Sequence, residues 1–172
     1  MTGRPGGPTP GSTEGLTVPQ VIQATRIIWF GMLMAQISFG LVIALIGGPL
    51  WKGPGPSPLS MPLSLMLGAF VVATIAVQAI FRRNFVAEVR GRAEQLRQEA
   101  DPLASVLVPY RGLFITTFGL VEGGSLFGLV SYLAAGVTLG LVVSAASVAW
   151  FLMNFPTEDG ARRLVQNAIE SA

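Results

Sequence analysis

Long apolar runs separated by short polar interruptions dominate the chain. Four such runs stand out, over about residues 27–46, 61–81, 112–134 and 137–155. A helix needs about 20 residues to cross a hydrocarbon layer of ~30 Å, and each run meets that length. Lipid offers no partner to an open backbone, so runs of this kind predict helices with internally closed hydrogen bonds. Four in one short chain argue against buried helices of a soluble domain.

The polar stretches predict a different set of elements. Residues 1–16, "MTGRPGGPTPGSTEGL", are rich in Gly, Pro, Ser and Thr and have little apolar surface to offset the entropy of ordering, so they read as a disordered tail. The apolar run that follows begins too late and is too long for a signal peptide. "GGPLWKGPGPSPLS" reads as an exposed, irregular loop. Residues 82–108 read as a cytoplasmic helical segment that continues helix two. Phe85, Val89, Ala93, Leu96 and Ala100 form one stripe in it, with Glu88–Arg92 and Glu94–Arg97 as surface ion pairs. Asp101 followed by Pro102 is a helix-start signal, and Pro109 is another. Thr157 with two following acids predicts a C-terminal helix over about 158–170, with Leu164, Val165, Ala168 and Ile169 on one face. The expected fold is therefore all-α: a single polytopic membrane domain over residues 17–172, with four transmembrane helices, the amphipathic cytoplasmic segment and a short C-terminal helix.

Composition supports lipid as the solvent: 51% of the residues are hydrophobic and 12% are charged, where a soluble domain carries about 25% charge. Cysteine and histidine are absent, so disulfides, thiolate chemistry, His-ligated metals and Ser-His or Cys-His pairs are excluded. The net charge of +2 is no nucleic-acid footprint, because the basic residues flank the apolar runs. Arg26, Arg82, Arg83, Arg111, Arg162 and Arg163 lie on one side, with Arg4, Arg90, Arg92 and Arg97, while Lys52 stands alone on the other. Ten against one predicts both termini and the middle segment in the cytoplasm, and the membrane is expected to be a bacterial plasma membrane by the resemblance given below. Trp29 and Trp51 are expected interface anchors, and Trp150 a packing residue.

One acid falls inside an apolar run. Glu122 lies eleven residues beyond Arg111, roughly 16 Å into the membrane at ~1.5 Å per residue. No basic residue lies within the four runs to pair with it, so a protonated carboxyl in need of a hydrogen-bond partner is expected. Gln36 lies ten residues beyond Arg26 in a helix of the same direction, and the depth match predicts a Gln36–Glu122 contact. The Arg26 to Arg111 and Gln36 to Glu122 spacings, 85 and 86 residues, also fit two hairpins related by duplication. Small residues recur at every fourth position: Gly119-x3-Gly123 and Gly124-x3-Gly128 in helix three, Gly136-x3-Gly140-x3-Ser144 in helix four, and Gly31-x3-Ala35 in helix one. Such spacing permits close approach of helix backbones.

The run "TTFGLVEGGSLFGLVSYL" resembles the outer helix of the rotor-ring c subunit of rotary ATP synthases, through Leu120, Val121, Glu122, Leu126, Phe127, Gly128, Leu129 and Val130. The resemblance covers about 18 of the 172 residues and implies that Glu122 binds a proton or ion. Helix two lacks the Gly-x-Gly-x-Gly run of the ring's inner helices, and Gln36 stands where a duplicated proteolipid would carry an acid. The whole layout also resembles small four-helix bacterial membrane proteins of unassigned function with an "L-x-E-G" helix, a resemblance that implies no activity.

These observations leave a non-enzymatic structural or assembly protein, with Glu122 hydrogen-bonded inside the bundle, as the expected function. Proton or ion binding at Glu122 is the alternative, because intramembrane acids are functional candidates by default. An enzyme finds no support in a chain without an acid pair or a metal-spacing motif. No cofactor, metal, nucleic acid or small-molecule substrate is expected. The expected partners are the lipid bilayer and a second copy or another protein docked on the cytoplasmic helices.

Overall fold

A computed structural model describes residues 17–46 and 57–172. The expected tail over residues 1–16, together with Trp51 and Lys52, lies outside the described residues. The described chain is helical, without a strand: α1 Val18–Ile46, α2 Ser60–Gly91, α3 Ala93–Gln98, α4 Pro102–Ser105, α5 Leu107–Ala135, α6 Thr138–Met153 and α7 Glu158–Glu170. Among the described residues α1, α2 and α5 are long and apolar enough to cross a membrane. A fourth span arises if α6 and α7, bent by 86° at their junction, are taken as one.

Three helices run past the apolar segments that announced them, whereas α6, Thr138–Met153, stops short of its expected 137–155. α1 begins nine residues before Ile27, and α2 continues without a break to Gly91. α5 starts at Leu107, so Pro109 sits inside its first turn, where a missing N–H breaks no intrahelical bond. The segment 82–108 is thus the end of α2, the short helices α3 and α4, and the start of α5.

α5 is the hub, packed against α1, α2 and α6. It turns into α6 through Gly136, the one residue among those described with positive φ (68°), a left-handed cap that suits glycine. Antiparallel to α5, α6 approaches it at Gly128 and Gly140. A Cβ on Gly128 would lie 2.7 Å from the Gly140 carbonyl oxygen, and one on Gly140 would overlap the Gly128 carbonyl. Backbone contact this close is open to glycine alone. Gly124 and Gly123 instead receive the Phe70 ring of α2. Gly119 and Gly31 face open space, so the Gly31-x3-Ala35 pattern makes no seam in the described chain.

Two cores of different character result. At the end that carries the arginines, fifteen buried residues form one cluster, from Val18, Val21 and Ile22 of α1 through Phe85, Val89, Ala93 and Leu96 to Val165, Ala168 and Ile169 of α7. The stripe read from the sequence is this cluster's α2–α3 wall, except that Ala100 is exposed. In the apolar half the second cluster holds four buried residues, Trp29, Leu33, Phe118 and Phe151. That contrast is the one a bundle with one end in water and the other in lipid would show. Burying a large apolar side chain from water gains ~1.5–3 kcal/mol, whereas helix association against lipid tails relies on close packing. The apolar half of α2 buries only Leu67.

Polar contacts tie α7 to the layer beneath it. Arg162 donates to Asp101 at 2.8 Å and to Glu158 at 2.8 Å. Arg97 donates to the Ile169 carbonyl and Arg90 to the Ser171 hydroxyl. The expected Glu88–Arg92 and Glu94–Arg97 ion pairs are not formed. Such exposed pairs are worth only ~0.3–0.5 kcal/mol, too little to hold Arg97 from α7. Thr157 caps α7 by accepting from the Gly160 N–H at 3.0 Å. Asp101 precedes α4, and both of its carboxylate oxygens accept from Arg162.

Candidate functional site

The aromatic cluster sets the register of the apolar half. Trp29 is buried, and its indole Nε1 donates to the Phe151 carbonyl at 3.1 Å. It is therefore a packing residue and not the exposed interface anchor its position in the sequence suggested. Phe118 meets Phe151 edge-on at a centroid distance of 4.7 Å. Trp29, Phe118 and Phe151 thus form one layer across α1, α5 and α6. Seven residues is close to two helical turns and returns to nearly the same face. Seven residues onward along α1 and α5, and seven back along the antiparallel α6, are Gln36, Ser125 and Ser144. All three are buried, and Ser144 Oγ donates to the Ser125 carbonyl at 2.8 Å. The layer above the aromatic one is polar.

That register corrects the expected contact. The residue level with Gln36 on α5 is Ser125, one turn beyond Glu122. Both amide atoms of Gln36 are buried without a hydrogen-bond partner, as is Ser125 Oγ, so no Gln36–Glu122 hydrogen bond exists. The cause is the choice of depth marks. Arg26 reaches along its helix to donate to the Pro156 carbonyl at 3.0 Å and covers the Phe155 ring at 5.4 Å. Arg111 is half-buried with its Nε unpartnered. Long side chains of this kind do not fix the level of their Cα atoms, and the two arginines are not equivalent.

Glu122 itself is half-exposed, on the rim of the buried face of α5, and its carboxyl makes no hydrogen bond or ion pair among the described residues. It is neither deeply buried nor locked inside the bundle. Phe118, Ser125 and Leu129, its neighbours one and two turns away, are buried on the adjoining flank. Chemically the site offers one carboxyl, one amide and hydroxyls. Among the described residues no three acidic, His or Cys side chains converge to hold a metal ion. The remaining flank residues lie at the arginine end: Arg82, Arg83, Arg162 and Arg163 are all exposed.

In comparisons with protein-family models, curated proteins and solved structures, nothing matches the chain. The reading of the site therefore rests on its own geometry. Sequence reasoning missed the polar layer, although its signal was present: a polar residue seven positions from an aromatic one, three times over.

Proposed function

We propose that the chain is a non-enzymatic integral membrane protein that self-associates within the membrane through Glu122. In this reading α1, α2, α5 and α6 are the four spans, and both termini and the α7 layer lie on the arginine-rich, cytoplasmic face of a bacterial plasma membrane. The observation that carries the proposal is the half-exposed, partnerless carboxyl partway along α5. A protonated carboxyl is both donor and acceptor. Two copies related by a twofold axis would each satisfy the other, which suits an isologous contact. The open Gly119 beside it leaves room for approach.

Interhelical hydrogen bonds in lipid are worth about 0.6–2 kcal/mol each, so the loss of one or two per dimer corresponds to roughly tenfold in association. Glu122→Ala is expected to weaken dimerisation in lipid nanodiscs about tenfold, read as subunit counts against dilution, while Glu122→Gln, which keeps donor and acceptor, preserves it. Equal association of all three chains would contradict the proposal. A second reading, proton or ion exchange at Glu122, is favoured by the same lack of a fixed intrachain partner. It expects labelling of Glu122 by a hydrophobic carbodiimide. Absence of labelling, under conditions where a known intramembrane acid reacts, would remove it.

A further inference from the structure

Away from Glu122, a groove runs between α2, α5 and α6. Its outer part, about 510 Å³, is lined mainly by apolar and aromatic side chains such as Phe114 and Phe155, and Arg82, Gln78, Thr117 and Asn154 add polar groups to it. Its inner part, about 290 Å³, is apolar, walled by Phe70, Val71, Leu120 and Val143. Gln78 and Trp150 line both parts, so the two are consecutive along the helices. The groove exists because α2 leans on α5 through Phe70 and hardly touches α6, and because α7 turns away from α6 at 86° to form the sill.

We propose that this groove binds one anionic phospholipid, with its phosphate on Arg82 and an acyl chain along the apolar floor. Three features select that occupant. Arg82 is exposed and, among the described residues, no carboxylate pairs with it, since both ion pairs belong to Arg162. Glu158, the acid beside the sill, is committed to Arg162. The cation and most of the polar groups lie in the outer part, and the lining becomes almost wholly apolar inward, which matches a headgroup and tail at the depth of the arginine belt in the four-span orientation proposed above. A free phosphate would leave the floor uncovered, and a second copy would have to bring a carboxylate to Arg82.

Native mass spectrometry of the full chain, released from nanodiscs of equal phosphatidylglycerol and phosphatidylcholine, tests this. The expected result is one retained phosphatidylglycerol per chain, with Arg82→Gln reducing retention about tenfold, as for loss of a charge-assisted hydrogen bond. Arg83→Gln, a neighbouring arginine outside the groove, is expected to stay within about twofold. Ala146→Phe narrows the inner part from an exposed position and is expected to reduce retention of the lipid without making inorganic phosphate a competitor. No preference for the anionic lipid, equal loss in Arg82→Gln and Arg83→Gln, or a Glu122→Ala chain that forms dimers in place of the lipid adduct would each overturn the proposal. Because Glu122 lies outside the groove, Glu122→Ala is expected to leave lipid retention unchanged, which separates this test from that of self-association.

Discussion

Gln36 and Ser125 are the residues whose environment most needs explaining. Gln36 is 2% exposed and Ser125 0%, yet three of their polar atoms lack partners. A buried polar group left unpaired costs ~1–3 kcal/mol. Replacing Gln36 by Leu, of similar size, removes that cost. Gln36→Leu is expected to leave resistance to thermal or SDS unfolding unchanged or to raise it by about 1–3 kcal/mol. A loss of more than about 2 kcal/mol would mean that the amide is satisfied and would contradict the unpartnered layer. At this scale the sequence was only half legible. The acid, the amide and the glycines could all be picked out, but which of them meet depends on helix rotation and register. The marks used for depth were two arginines whose side chains extend by different routes. Gly128 and Gly140 touch, whereas Gly31, in a similar small-x3-small pattern with Ala35, faces outward, because a small residue permits contact without requiring it.

Whole elements were far more legible. Apolar length announced α1, α2, α5 and α6, and the amphipathic spacing of Leu164, Val165, Ala168 and Ile169 with the Thr157 cap announced α7 with its observed bounds. Boundaries were missed where a helix runs on into the cluster at the arginine end, as α1 and α2 do, because its next turns are buried by other helices there. The docking of α7 carries a pH signature. Hydrogen bonding to Arg162, the largest cause, holds the Asp101 carboxyl below its ordinary range. A depressed carboxylate stabilises the fold above its unfolded value of about 3.9, and that contribution is lost as pH falls through the lower folded value. The pair is exposed, so its worth is at most about 1 kcal/mol. Asp101→Asn is expected to lower stability at pH 7 by no more than that, and to reduce the stability lost on acidification below about pH 4. An unchanged acid limb, read by thermal unfolding at stepped pH, would show that the ion pair does not contribute.

The whole molecule consists of an ordinary water-excluded core at one end and a loosely packed apolar bundle at the other. Fifteen buried residues knit α1, α2, α3, α4, α5 and α7 at the arginine end, while the apolar half leaves α2 almost bare and Glu122 without an internal partner. A bundle fixed at one end and open along its flank is suited to taking partners from the membrane, a lipid in the groove and a second copy at Glu122. The most direct test of that second contact is a photo-reactive amino acid placed at the half-exposed Leu126, one turn from Glu122 on α5, so that the carboxyl is kept, activated in intact membranes, with the products weighed. The same residue at the exposed positions Leu41 and Val142 serves as reference. The account predicts covalent dimers of this chain from position 126, lost when Glu122→Ala is added, and only lipid adducts from 41 and 142. Position 126 yielding no more dimer than the reference positions would contradict it.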